Sequence, residues 1–448
     1  MPDTTHHNAA APRAVLSIFD AVMITVGIVI GAGIFQTPAL VANIIGSAPL
    51  MLAAWVLGGL LSLVGALTYA ELSTAFPSAG GDYTFLTRAY GRSVSFMFAW
   101  ARSMVITTGS IALLGFILGD YLSRLYSFGR FSSAIYATLA VVLLTTINLI
   151  GLRGSSRMQN ALAVLEIAGV LFVAAAGTTL SPTPVEDAPS TEHGAGAFGL
   201  AMVFVLLTYG GWNEAAYVSA EVRGGERAIV RTLVLSIAII TTVYLAFVLG
   251  VLHGLGFDAL SRAHAVGVDV VERAIGPWGG QLIGVAVAIS SLTSMNSTMI
   301  VGARSNYAVA QDWPVFRFMA GWQAERSTPV AGFIVQALIA IGLIAFGALE
   351  KNGFATMVEF TAPVFWFFFM LIGAALFVLR RKEPHAARPF RTPLYPVLPF
   401  IFVLTCAYLL YSSVVHAQSE NAGFVALALA ASGAVVLAIL RTRRPDAL

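Results

Sequence analysis

Gly31-Ala32-Gly33-Ile34-Phe35, followed closely by Pro38, lies inside an apolar stretch that runs from Ala14 to Ile45. The stretch is long enough to cross a bilayer, which takes about 20 apolar residues. It also holds the small residues and the proline that interrupt helices. A second apolar stretch, Phe198 to Val222, repeats the fault at Tyr209-Gly210-Gly211-Trp212-Asn213. Lipid offers no hydrogen bonds to free N–H and C=O groups, so irregular backbone at membrane depth must face protein or a water-filled cavity. Two such breaks, at matching positions in two halves of a chain, point to a transporter with its substrate site near the midplane.

Composition agrees. Of 448 residues, 58% are hydrophobic and 10% charged, against about 25% charged in a soluble domain. The chain is an all-α, polytopic membrane protein. Its net charge of +3 has a topological meaning and does not indicate nucleic acid. The residues before Pro12 are polar and carry no leader of their own, so the first apolar run is expected to be retained as a span. The single cysteine, Cys406, lies in an apolar run and reads as a small buried residue.

Twelve apolar stretches have the length of a span: 15–45, 49–76, 94–122, 133–152, 158–180, 198–222, 230–254, 277–302, 329–348, 354–380, 394–414 and 422–441. Twelve crossings put residues 1–13 and 442–448 on one side. Nineteen of the 25 lysines and arginines then fall on that side and five on the other, with Arg102 inside a span. The bias places both termini in the cytoplasm. Two outer loops are long, 181–197 and 255–276, and the second has the spacing of a short interfacial helix. No soluble domain, nucleotide loop or zinc spacing is present, so no cofactor or metal is expected.

The residues at the breaks carry the chemistry. A half-helix that resumes after Gly31, Ala32 and Gly33 offers free N–H groups and a positive dipole end, which suit a carboxylate. A GxG can also be a helix-packing contact; the matching break in the sixth span favours the site. Carbonyls freed near Tyr209 and Gly210 suit an ammonium group. Trp212 reads as a pocket wall or a packing aromatic, and Glu214 as a direct participant or a partner of Asn213. Arg102 and Glu166 each fall about nine residues into a span, so about 14 Å deep, near the middle of a ~30 Å core. Each is expected to compensate the other, as a static pair or as a proton-coupling pair. Span 8 carries Ser290, Ser291, Thr293, Ser294, Asn296, Ser297 and Thr298. With no carboxylate beside them in sequence, these read as a cavity lining and not a sodium site. Glu71 reads as a helix-end partner for an inner-loop arginine, and Glu359 as a vestibule residue.

The run from Thr25-Val26-Gly27 to Gly31-Ala32-Gly33-Ile34-Phe35 resembles the first span of the amino acid–polyamine–organocation (APC) superfamily. Gly65-Ala66-Leu67-Thr68-Tyr69-Ala70-Glu71-Leu72, Phe76-Pro77 and Gly80-Gly81-Asp82-Tyr83 are similar to the second span and loop of its L-type amino-acid transporter branch. Tyr209 to Asn213 and Arg388-Pro389-Phe390-Arg391 through Pro396 match that branch's sixth span and eleventh-span entry. The resemblance covers the chain from about Ala14 to Leu440. It implies a LeuT-type fold with two inverted five-helix repeats, 14–180 and 198–380, and two peripheral spans within 394–441. It also implies amino acids held by backbone at the first and sixth spans, and sodium-independent exchange or proton coupling.

Three departures matter. Glu166 stands where the branch places a lysine. Leu207 stands where it places a gating aromatic. The outer-loop cysteine that ties eukaryotic members to a heavy subunit is absent, so no disulfide-linked partner is expected. The resulting expectation is a permease of the bacterial inner membrane that carries α-amino acids by alternating access. Ile28, Gly31, Ala32, Gly33, Leu207, Tyr209, Gly210, Trp212 and Asn213 form the substrate site. Arg102, Glu166, Glu214, Ser291 and Ser294 are the coupling or gating candidates. A polyamine or organic-amine carrier is the alternative, with a membrane channel behind it.

Overall fold

The computed structural model of the chain describes residues 17–77, 81–150, 156–181, 195–214, 223–321, 329–415 and 421–443. Among them every regular element is helical and no strand occurs. The helices are α1 (Ile18–Val29), α2 (Thr37–Ile45), α3 (Ala48–Ala75), α4 (Asp82–Tyr90), α5 (Arg92–Ala101), α6 (Thr107–Leu125), α7 (Ser132–Ile150), α8 (Ser156–Thr179), α9 (Ala195–Thr208), α10 (Gly225–Leu255), α11 (Phe257–Ser261), α12 (Val266–Ile275), α13 (Pro277–Asp312), α14 (Val330–Gly347), α15 (Gly353–Lys382), α16 (Val397–Val415) and α17 (Ala422–Arg443). A π-helical segment, Arg102–Ile106, joins α5 to α6 without ending the helix.

Nine helices among the described residues are long and apolar enough to cross a membrane, the α5–α6 unit counting as one. Shorter apolar helices occur within α1, α8 and α9. Two of these, α1 and α9, stop where the sequence places its breaks. Large apolar side chains such as Leu60, Leu139, Leu165, Leu338 and Phe424 project outward, as a lipid-facing surface requires. Cys406 is buried.

Local chemistry explains the helix ends. Ser17 and Asp20 form a capping box at the start of α1, which satisfies two otherwise orphaned N–H groups. Pro38 sits in the first turn of α2, where its missing N–H costs nothing. Pro363 lies inside α15, yet the helix continues through it.

At one end of the molecule arginines gather around a single carboxylate. Glu71 is fully buried. Arg380 Nε and Nη2 donate to its two oxygens at 2.8 and 2.7 Å, and the Thr392 amide donates at 2.7 Å. Arg388 Nε stands 3.6 Å away. The expected arginine partner is thus present twice, from the end of α15 and from the segment after it. Arg380 also stacks 3.6 Å from the Tyr395 ring centroid. Glu359, expected in the outer vestibule, is 2% exposed within α15.

The loop 255–276 lies at the opposite end. It folds into two short helices, α11 and α12, and not one. The valines Val266, Val268, Val270 and Val271 are buried, so α12 is part of the packed body. Its Asp269 lies 3.7 Å from Arg124 at the end of α6.

Candidate functional site

The first break begins at Gly31, whose backbone is extended (φ −111°, ψ −167°). A short 3-10 turn, Ala32–Phe35, comes next, before α2 starts. The leading N–H groups of such a turn have no partner within it. No backbone bond outside the helices uses the Ala32 or Gly33 amide as donor among the described residues. Ser294 of α13 faces this point. A Cβ on Gly31 would lie 3.0 Å from Ser294 Oγ, and that hydroxyl is buried without a hydrogen-bond partner. Unmet amides and an unmet hydroxyl therefore share one corner.

The second break comes after Thr208. Gly211 takes φ +108°, a left-handed value that disfavours any side chain. A Cβ there would also press on Ile28 at 3.0 Å, so the two breaks meet at Ile28 and Gly211. A 3-10 turn, Trp212–Glu214, ends the described part of this segment.

A cavity of about 280 Å³ joins the breaks. Of the residues expected at the site, Ile28, Gly31, Gly33, Leu207, Gly210, Asn213, Arg102 and Ser294 line it. Four others do not. Ala32 is fully buried behind the turn. Tyr209 points away and donates its hydroxyl to the Trp55 carbonyl at 3.0 Å. Trp212 packs edge-on against Tyr69 at 5.1 Å between centroids and against Phe369 at 5.9 Å. Ser291 donates back to the Val287 carbonyl at 2.9 Å, the usual fate of a helical serine. The Glu214 side chain lies outside the described residues.

The expected pairing of Arg102 with Glu166 gives way to another arrangement. Ser290 Oγ donates to Glu166 Oε1 at 3.0 Å, while Ser103, next to Arg102, donates to Asn306. Ser290 and Asn306 are sixteen residues apart on α13, about 24 Å at 1.5 Å per residue. Glu166 therefore sits near the breaks, and Arg102 far toward the arginine-rich end. The same bond corrects the reading of the span 8 hydroxyls: a carboxylate does stand beside Ser290, brought there by α8.

Several residues of the site carry no sequence signal of their own. Tyr244 of α10 reaches both broken helices, its hydroxyl 2.7 Å from the Val29 carbonyl and 3.1 Å from the Thr208 carbonyl. Thr37 and Thr208 pair through their hydroxyls at 2.7 Å. Phe365, Phe368 and Phe369 of α15 wall the cavity. Only tertiary packing brings α10 and α15 to the breaks.

The cavity is asymmetric. Its lining reaches Asp82, Phe98 and Arg102 toward the arginine-rich end. The other way, Phe35 packs edge-on with Phe247 at 5.3 Å and Tyr121 at 6.3 Å. Beyond that plug, Gln36 Nε2 donates to Asp120 at 3.1 Å. At the arginine-rich end, outside the spans, Tyr83 donates to Asp312 at 3.1 Å and accepts from Trp313 Nε1 at 3.2 Å. Burial raises the Tyr83 phenol above its ordinary range and the Asp312 carboxylate adds to the shift, so it stays a neutral donor.

Comparison with known proteins agrees with this architecture. The profile of the family described as amino acid permease matches residues 16–438. The chain is 25% identical over 403 residues to the serine/threonine exchanger SteT of Bacillus subtilis (strain 168), covering 89% of this chain and 91% of that one. It is 26% identical to the b(0,+)-type amino acid transporter 1 of Mus musculus, with 89% and 82% covered. It is also 26% identical to the cystine/glutamate transporter of Homo sapiens, with 96% and 86% covered.

Proposed function

The chain belongs to the amino acid permease family, a family of membrane transporters and not of enzymes, and from that premise we propose how it carries an α-amino acid. The spans number twelve, arranged as two inverted five-helix repeats, 14–180 and 198–380, with two peripheral helices. Both termini and the arginine-rich end face the cytoplasm, in keeping with the charge bias of the loops. Transport proceeds by alternating access, as sodium-independent exchange or proton-coupled uptake, without a disulfide-linked heavy subunit. The cavity's reach toward the arginine-rich end supports reading this as an inward-facing conformation.

The observation that carries the substrate reading is the unmet hydroxyl of Ser294 facing Gly31. A buried polar atom without a partner is costly, and here it stands beside free amides at a helix start. A carboxylate would satisfy all of them at once. The α-ammonium would then meet carbonyls near Gly210, with Ile28 opposite, and the side chain would extend toward Leu207, Asn213 and the phenylalanines of α15. Glu166, one turn of α13 beyond Ser294, is the coupling candidate.

A thermal-shift screen of purified protein tests the reading. Common amino acids should raise the midpoint, and their decarboxylated amines should bind far more weakly, because they leave the amides and Ser294 unpaired. Tighter binding of amines, polyamines included, would replace the amino-acid reading with an organic-amine carrier.

A further inference from the structure

The plug on the outward side of the breaks is held by more than ring packing. Tyr121 of α6 is fully buried. Its hydroxyl donates to the Phe35 carbonyl at 3.2 Å and accepts from the Gly267 amide of α12 at 3.4 Å. One hydroxyl thereby joins the first-span turn, the third span and the outer loop. The next residue, Gln36, donates Nε2 to Asp120 Oδ2 at 3.1 Å. A donor to a carboxylate makes a charge-assisted bond, roughly twice as strong as a neutral one. Gly267 leaves room for the plug: a Cβ there would lie 3.1 Å from Phe35 Cδ1.

These bonds end on the turn that carries the site. Ala32–Phe35 is a single 3-10 turn, and α2 starts at Thr37. The amides after Gly31 stand at its start. The Phe35 carbonyl and the Gln36 side chain stand at its end. So short a turn has no slack, and its two ends move together. An outward-facing state needs the Phe35 ring to leave Phe247 and Tyr121. The ring is close-packed, only 5% exposed, so clearing the way takes a shift of its backbone. That shift breaks both bonds, Tyr121 to the Phe35 carbonyl and Gln36 to Asp120.

We propose that Tyr121, Gln36 and Asp120 are the latch of the outer gate. They are positioning residues that hold the substrate-binding turn against the third span and set the ratio of inward- to outward-facing carrier. Both bonds belong to the closed outer gate alone, so losing either one shifts that ratio. The latch rests on reading this conformation as inward-facing, and not on the identity of the substrate.

The experiment measures the gate directly in the full chain. Cys406, the single cysteine, is buried, so introduced cysteines can be labelled without removing it. Asn43 on α2 and Ser127 just after α6 are exposed. With nitroxides on Asn43→Cys and Ser127→Cys, pulsed electron paramagnetic resonance reads the distance across the outer gate with no substrate present. The parent should give mainly a short distance. Gln36→Met, which keeps the length without a donor, should raise the ratio of long to short distances about tenfold, and Tyr121→Phe about fivefold. The joint variant should come near the product of the two. Asp120→Asn keeps an acceptor for Gln36, so it should shift the ratio least, and it guards against misfolding. In proteoliposomes, with ¹⁴C-labelled common L-amino acids as probe, Gln36→Met should raise KM at the arginine-rich face and lower it at the opposite face. Distances that stay at the parent's value in the joint variant overturn the latch, as do KM changes of one sign on both faces. A parent already at the long distance overturns the inward-facing reading and the latch with it. If the parent exchanges no amino acid, the reading of the central site falls alone, and the distances still decide the latch.

Discussion

Two regions handle buried polar groups in opposite ways. At the arginine-rich end, Glu71 is surrounded: two guanidiniums and a backbone amide take its oxygens. At the breaks, polar groups are left short. Ser294 Oγ has no partner, the amides just after Gly31 are not used as donors outside the helices, and the hydrogen bond given to Glu166 comes from one serine. A saturated network fixes a geometry. An unsaturated one in a cavity waits for a ligand or a proton. The contrast separates the joint of this molecule from its working part, and it can be broken from either side.

The largest effect should come from opening the joint. Glu71→Ala would strand Arg380 and Arg388 beside a buried gap and leave the Thr392 amide without its acceptor. Removing one partner of a buried ion pair costs about 3–5 kcal/mol, a large part of the stability of most domains. Detergent-solubilised protein should lose its monodisperse peak or melt far below the parent. A parent-like melting curve would show that Glu71 is not a joint.

Next comes the corner that waits for a carboxylate. A Cβ on Gly33 would lie 3.9 Å from Thr208, so alanine fits there. The branched arms of valine would occupy the space above the amides. Gly33→Val should therefore fold, with substrate affinity down about a hundredfold, equivalent to two lost charge-assisted bonds. Gly33→Ala should stay near the parent. Normal affinity in the valine variant, read by substrate-induced thermal shift, would remove the carboxylate from this corner.

A smaller effect is expected at Tyr244, which holds both broken helices by their carbonyls. Val29 O keeps a second donor, the Gly31 amide at 2.8 Å. Tyr244→Phe should therefore cost about 1 kcal/mol and lower affinity about fivefold, with the melting point nearly unchanged. A change in melting point without a change in affinity would move Tyr244 from the working part to the joint.

Legibility in the sequence divides along the same line. The breaks were legible because glycine and proline act locally, and a membrane leaves few explanations for them. Glu71 was legible because a carboxylate at a helix end beside an arginine-rich loop has few alternatives. The Arg102–Glu166 pairing was not, because depth was counted from each helix start. The α5–α6 unit has 34 residues, about 51 Å, and overruns a ~30 Å core, so nine residues from its start is not the midplane. Trp212 was ambiguous because a 3-10 turn aims side chains differently from the helix it interrupts. Ser290 beside Glu166 was invisible because residues 124 positions apart meet only through packing.

The finest test concerns Glu166, whose replacement should scarcely alter stability. Glu166→Gln keeps the shape and can still hydrogen-bond Ser290, but it cannot change charge. Were Glu166 a joint like Glu71, the neutral variant would weaken folding and exchange together. A coupling carboxylate behaves otherwise: substrate exchange persists while accumulation driven by a proton gradient disappears, because the site can no longer take up and release a proton. In proteoliposomes with an imposed pH gradient, the variant should exchange labelled amino acid at the parent's rate and fail to concentrate it. Concentration equal to the parent's would make Glu166 structural. A parent that ignores the gradient would make the protein a pure exchanger, and the lone serine on Glu166 would then mark no more than a loosely held carboxylate beside the site.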